Sequence, residues 1–340
     1  MTKQSVLSLL MSSGAFSLFR FANRGRALIL NYHRFSAGDE PEATSVRVFA
    51  EHLEYLKTHY RILPLAELVE CLSGHAQPPH RLAAITIDDG YRDAYELAFP
   101  ILRLYGVPAT LFAVTDFISQ RTWLWTDKLR YLTLCSPPQQ LELRLNGRTL
   151  ACALGTRAER LTVAARINAL LKRMSDEAKD EAIAGIAAQF GLSLPELPPP
   201  PYRALTWDEA REMDRRRVTI ESHTVTHPIL TEVDDERLDR ELSDSRAQLE
   251  TELRRSRRSF CYPNGDYDKR VRGAVRRAGY RCAVTTEPGL NDARSDLLAL
   301  RRVHSERDLA HFVQSTCGFE QLKNRFRVAR ASAVSEQVYG

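Results

Sequence analysis

Leu82-Ala83-Ala84-Ile85-Thr86-Ile87-Asp88-Asp89-Gly90 is the stretch that decides the fold. An uncharged, mostly apolar run closes on two carboxylates and a glycine. It is too short for a helix, so it reads as a strand buried on both faces that delivers its last residues to a loop. A helix is expected at 94–105, with a kink at Pro100 and a stop at Gly106-Val107-Pro108. Another buried strand follows at 109–114. Upstream, 27–32 is a similar run, ending in Tyr32 and His33. Further on, the pattern gives helix 206–216, strand 218–222, helix 234–254, strand 259–262, helix 269–278, strand 282–286 and a last strand at 300–304. Strands alternating with helices imply parallel strands joined by crossover helices, an α/β fold.

The alternation is interrupted near Thr122. Residues 141–154 alternate apolar and polar around Asn146-Gly147, a strong hairpin signal. Two alanine-rich helices, 157–174 and 176–190, lead into a proline-rich connector at 194–201. The expected organisation is an amphipathic arm at 1–25, an α/β domain made of 26–121 plus 202–320, an insertion at 122–201 (a hairpin and two helices) and a tail at 321–340.

Composition narrows the function. The 340 residues carry 48 Lys+Arg against 43 Asp+Glu, a net charge of +5. So small an excess, without a one-sided basic stripe, argues against nucleic acid as a partner. No run approaches the ~18 apolar residues of a spanning helix. The six cysteines form no CxxC pair, which disfavours a disulfide framework or a cysteine zinc site. Residues 6–18 are mildly apolar, and no small-x-small cleavage site stands out after them. The expectation is therefore a chain in the cytoplasm or peripheral to the inner membrane, with the arm a candidate for membrane-surface association.

Four clusters sit at expected strand ends, where parallel α/β folds build their sites. Asp88-Asp89 are adjacent carboxylates at a buried strand end; they need a cation or a partner, or else they cap a helix. His223 and His227 lie four apart after a β-branched strand and can converge on one metal. Pro263-Asn264-Gly265 is a tight turn able to aim a backbone N–H into a site as an oxyanion donor. His33 and His304 are alternative proton donors, with Arg302 beside the second.

Taken together, these clusters resemble the polysaccharide deacetylase family, the NodB-homology group of carbohydrate esterases. Thr86-Ile87-Asp88-Asp89-Gly90 is similar to its first motif, His223 to His227 to its second, and Tyr262-Pro263-Asn264-Gly265 to its third. Leu30-Asn31-Tyr32-His33 and Trp207-Asp208-Glu209 resemble the branch that acts on biofilm and other exopolysaccharides. The resemblance implies a distorted, incomplete (β/α)7-type barrel with a mainly helical insertion. It implies a divalent metal, Zn²⁺ by preference, held by Asp89, His223 and His227, and Asp88 as base. It also implies His33 as the acid, with His304 the counterpart in other branches. The partner would be an N-acetylated glycan or oligosaccharide, losing acetate to a metal-activated water.

This chain departs from the family pattern at Cys261, where an arginine often orients the base. Arg302 is expected to substitute from the last strand. Trp123 and Trp125 follow a strand end and, with Tyr262, are expected to contact sugar rings. Two other readings stay open: hydrolysis of other non-peptide C–N bonds, and a catalytically weak glycan-binding member.

Overall fold

The computed structural model describes residues 14–74 and 80–319. Most of the arm (1–13) and the tail at 321–340 therefore lie outside the described residues.

Seven parallel strands form the barrel: β1 Leu28–Tyr32, β2 Leu82–Ile87, β3 Ala109–Ala113, β4 Val218–Ser222, β5 Ser259–Cys261, β6 Cys282–Pro288 and β7 Leu300–His304. They pair in chain order from β1 to β7, and β7 returns to β1. β1 and β2 are in register over five residues, Leu28 opposite Ala83 through Tyr32 opposite Ile87. β3 and β4 match equally, Ala109 opposite Val218 through Ala113 opposite Ser222. The expected α/β barrel is thus present, with a two-residue parallel strand, Arg61–Ile62, added at the start of β2.

The distortion is local. β4 and β5 share one residue pair, Phe260 opposite Ser222, and the β6–β7 register shifts between Val284 and Pro288. Buried Glu221 closes the gap beside the short β5 by accepting from the backbone N–H groups of Arg258 and Ser259 at 3.0 and 2.9 Å. A side chain thereby satisfies donors that a longer ladder would otherwise take.

Strand alternation sorts two cores. Ile29, Leu82, Ala84, Phe112, Cys261, Val284 and Leu300 cluster inside the barrel, together with Leu65, Leu68 and Leu72 of helix Leu65–Ser73. Leu28, Leu30, Ala83, Ile85 and Ile87 face outward, against Phe49, Leu53 and Leu56 of helix Val46–His59. The helix expected at 94–105 begins as a π-helical turn, Ala94–Ala98, and becomes α-helical over Phe99–Tyr105. Pro100 lies in the first turn of that second segment, where its missing N–H is tolerated.

The insertion has its own core. Hairpin Gln140–Leu145/Arg148–Ala153 turns at Asn146 and Gly147, both at positive φ, and helices Arg157–Leu171 and Asp176–Gln189 follow. One element was not expected: Trp125–Cys135 is a third helix, starting within the tryptophan segment.

Candidate active site

The site lies at the carboxyl ends of the strands. Thr86 continues the inward parity of Leu82 and Ala84 on β2, and Asp88 follows it. Asp89 would point outward on an extended strand. Instead its φ is 75°, and Gly90 follows at 95°, so the chain leaves strand geometry there. A side chain on Gly90 would be strained at that φ and would meet Ile118 Cγ2 at 3.0 Å. Asp89, Thr224, His227 and Asn264 all hold positive φ without being glycine, a concentration of backbone strain typical of functional loops.

Asp89, His223 and His227 converge. Asp89 Oδ1 lies 3.4 Å from His223 Nε2 and 3.7 Å from His227 Nε2. The three side chains offer one ligand atom each within 4.8 Å of one another, and all are buried. Ligand atoms held tetrahedrally at ~2.0–2.1 Å from one zinc ion would lie about 3.3 Å apart, so this set is slightly open but matched to such an ion. Its donor chemistry fits as well. His223 Nδ1 faces the Cys261 carbonyl at 2.8 Å, which fixes the tautomer that leaves Nε2 free to ligate. Burial, with His223 next to it, pushes His227 down to about 3, so that imidazole is neutral at physiological pH. Burial acts to raise the Asp89 carboxyl, but His223 at 3.4 Å and the other nearby histidines outweigh it and hold the group well below its usual range.

A second trio, Asp88, His223 and Cys261, is equally compact but fits a metal poorly. Burial raises the Cys261 thiol, keeping it protonated, and both oxygens of Asp88 are engaged by Arg302. Arg302 Nη1 donates to Asp88 Oδ1 and Nη2 to Oδ2, each at 2.7 Å. The guanidinium is itself fully buried. It is fixed by Nε to the Thr285 carbonyl at 2.7 Å, Nη1 to Thr86 Oγ1 at 3.0 Å and Nη2 to Cys261 Sγ at 3.3 Å. Arg302 on β7 therefore reaches across the barrel to Asp88 and touches the cysteine at the third motif. Burial alone would raise the Asp88 carboxyl; the Arg302 charge and hydrogen bonds reverse that and lower it.

His33 Nε2 is 3.5 Å from Asp88 Oδ2 on the solvent side. His304, register partner of Asn31, stands at the same rim with its ring partly covered; that covering, with Arg302 and His33 nearby, lowers its pKa. The turn Pro263–Gly265 carries Asn264 at φ 56° and packs against β6, where Thr286 Oγ1 donates to the Asn264 carbonyl at 3.2 Å. A Cβ on Gly265 would fall 2.0 Å from Thr286 Oγ1, so the approach of this turn to β6 requires glycine.

Three expected sugar contacts are corrected. Tyr262 is completely buried, donates its hydroxyl to the Leu298 carbonyl at 2.9 Å and stacks on Tyr267. Trp123 is buried in the main core, edge-on to Tyr131. Trp125 is buried in the insertion core beneath Lys179, whose Nζ lies 5.2 Å from the ring centroid. The tryptophan segment enters a helix rather than an open loop, so its large apolar rings are drawn into the interior.

Glu241 is a site neighbour that the sequence reading missed. It accepts from Val225 N at 2.8 Å, Thr226 N at 3.0 Å and Thr226 Oγ1 at 2.5 Å, so it holds the loop between the two histidines. The signal was present: Leu238, Glu241, Leu242, Ser245 and Leu249 form one buried stripe of helix Asp235–Leu253, and a carboxylate on an apolar stripe needs partners. Replacing Glu241 with Leu should loosen the loop that sets His223 against His227 and weaken the affinity of this ligand set for a divalent ion 10- to 100-fold, as read by competition with a chromophoric chelator.

A second buried network ties the insertion to the loop that carries Asp89. Tyr91 donates its hydroxyl to Asp127 Oδ2 at 2.7 Å. The guanidinium of Arg34 lies 4.0 Å from the centroid of the Tyr91 ring and binds Asp93 at 2.6 Å. Burial pushes Asp127 up to about 6. A carboxyl raised on folding binds more protons in the native state, so its contribution to stability is full below about pH 4 and is lost as pH rises through about 6. Asp127→Asn should therefore be more stable than the parent at pH 7, by up to about 3 kcal/mol, with the gap closing toward pH 4 in urea denaturation.

The family model for polysaccharide deacetylase matches residues 75–283, more than half of the chain. That span includes both carboxylates and both histidines, whereas His33 and Arg302 lie outside it. A putative polysaccharide deacetylase, YxkH of Bacillus subtilis, is 22% identical over 81% of this chain and 70% of its own length. The poly-beta-1,6-N-acetyl-D-glucosamine N-deacetylase of Staphylococcus epidermidis is 32% identical, over only 28% of this chain and 38% of its own. Among solved structures, the Streptococcus pyogenes deacetylase PplD superposes with a TM-score of 0.58 at 20% identity, over 86% of this chain and 98% of that one. IcaB from Ammonifex degensii gives 0.56 at 18% identity, over 86% and 97%; both likenesses are of fold. By its motifs, its barrel and the extent of the family match, the chain belongs to the polysaccharide deacetylase family.

Proposed function

We propose that the chain is a metal-dependent hydrolase that removes N-acetyl groups from N-acetylated sugars of a bacterial polysaccharide or its precursor. The observation that carries this reading is the pairing of two differently furnished carboxylates. Asp89 shares its space with two imidazole nitrogens, while Asp88, next to it, is held by a guanidinium. In this reading Asp89, His223 and His227 hold a divalent ion, zinc by donor type, which when bound supplies Lewis-acid polarisation and a more acidic water.

The chain's own residues supply the rest. Asp88 is the base: Arg302 keeps it ionised and fixes the plane of its carboxylate, so it accepts a proton from water at the Oδ2 side. His33, 3.5 Å from that oxygen and open to solvent, protonates the departing amine; His304 is its alternate at the rim. The Asn264 N–H, set by its left-handed turn, supports the developing oxyanion, a contribution worth roughly 3–4 kcal/mol for such a donor. The substrate class follows the staphylococcal relatives, so β-1,6-linked N-acetylglucosamine oligomers are the first to try.

The test is acetate release from defined N-acetylated oligosaccharides, combined with metal analysis. Activity should vanish on chelation and return with added zinc. His227→Ala should lose both the metal and the activity. Absence of acetate from every N-acetylated oligosaccharide, with metal bound, would remove the reading and leave other C–N bonds as the substrate.

A further inference from the structure

A cavity of about 610 Å³ opens between the loop that leaves β1 and the insertion. Small-ligand sites span roughly 300–1,000 Å³, so this one has room for sugar residues. One wall comes from the barrel loop, with Arg34, Phe35 and Glu42. The other comes from the insertion, with Arg130 and Arg157, and Tyr202 closes it.

We propose that this cavity is a glycan subsite, which takes one or two neutral sugar residues adjoining the one that carries the reacting acetamide. The assignment rests on the deacetylase reading above and extends it to chain length.

Charge argues for a neutral occupant. Three arginines and three acidic side chains line the cavity, and a single carboxylate, Glu42, already engages Arg130 at 2.9 Å and Arg157 at 3.5 Å. No guanidinium pair is left open for an anion. Fixed donors beside fixed acceptors suit vicinal hydroxyls, which donate and accept at once.

Position argues for continuity with the reacting centre. Arg34 follows His33 directly, so the loop that carries the histidine beside Asp88 also carries one wall of the cavity. The walls are also pre-set. Asp93 and the Pro201 carbonyl hold Arg34, and the Tyr91–Asp127 bond ties the insertion helix to the loop that carries Asp89. The insertion thus supplies a sugar-binding wall through its arginines, while its tryptophans build the core behind.

The test uses β-1,6-linked N-acetylglucosamine oligomers of two to five residues. In the parent, kcat/KM should rise at least tenfold from dimer to pentamer, mainly through KM. Arg157→Ala should lose most of that rise; Arg157 is exposed and its removal leaves the Glu42–Arg130 pair intact. Calorimetric titration of the pentamer into folded Asp88→Asn protein, with and without Arg157→Ala, reads the same subsite without turnover and should show about tenfold weaker binding. A parent indifferent to length, or an Arg157 variant with the parent's length dependence, would overturn the subsite. So would tenfold tighter binding of a uronate-containing oligomer than of the neutral one. Pentamer binding that weakens with Arg157→Ala, with no acetate released from any oligomer, would support the subsite and remove the deacetylase reading instead.

Discussion

Replacing Arg302 with methionine should lower kcat/KM by about 10³ or more and cost roughly 3–5 kcal/mol of stability. Both follow from one contact. The guanidinium is fully buried and satisfies both oxygens of Asp88 at 2.7 Å. Removing one partner of a buried ion pair leaves the other uncompensated, and that accounts for the stability loss. The rate loss comes from the same orphaned charge. Burial, opposed then only by the weaker effects of His33 and His223, drives the Asp88 carboxyl upward. The proposed base is then protonated at neutral pH, and the acid limb of the pH–rate profile moves to higher pH. Arg302→Lys should recover part of the stability and little of the rate, because a point charge cannot hold both oxygens in plane. The checks are thermal denaturation and kcat/KM as a function of pH. An acid limb unmoved in the methionine variant would show that Arg302 serves the fold alone.

How far the sequence exposed this arrangement depended on whether the signal was local. The seven strands were legible because each is a short apolar run closed by polar residues, and a strand buried on both faces leaves that trace. Asp89, His223 and His227 were legible because a carboxylate pair and a four-residue histidine spacing both fall at strand ends. The Arg302–Asp88 contact joins residues 214 apart in the chain; nothing in either neighbourhood specifies it, and only the missing arginine at Cys261 pointed toward a substitute. The aromatic residues went wrong for a different reason. Trp123, Trp125 and Tyr262 stand beside strand ends, but position along the chain does not say which way a ring turns. A large apolar surface without solvent-exposed company is drawn into the nearest core. Glu241 was missed although its helix showed a charge on the buried stripe, because that pattern is meaningful only once the loop it must satisfy is known. The 610 Å³ cavity had no sequence trace, since its two walls belong to segments about 90 residues apart.

Asp88→Asn should reduce turnover by roughly 10³–10⁴-fold, the upper range for loss of a positioned proton acceptor, while the protein still binds one metal ion per chain. The two effects separate because the neighbouring carboxylates have separate partners. The three ligand atoms of Asp89, His223 and His227 lie within 4.8 Å of one another, so the substitution leaves the proposed ligand set intact. At position 88 an amide cannot take a proton from water at neutral pH, and its NH₂ would face one Nη of Arg302, donor against donor. That leaves a buried guanidinium partly unpaired, so Asp88→Asn should also lower stability, though by less than Arg302→Met. The double variant Asp88→Asn/Arg302→Met then becomes informative. If the pair acts as a unit, the double variant is more stable than the sum of the single losses predicts, with a coupling of about 1–3 kcal/mol, yet stays as inactive as Asp88→Asn. Activity that tracked stability across the three variants would mean that the carboxylate only supports the barrel. Activity lost in all three while the fold is partly restored in the double variant would assign the proton to Asp88 and its orientation to Arg302.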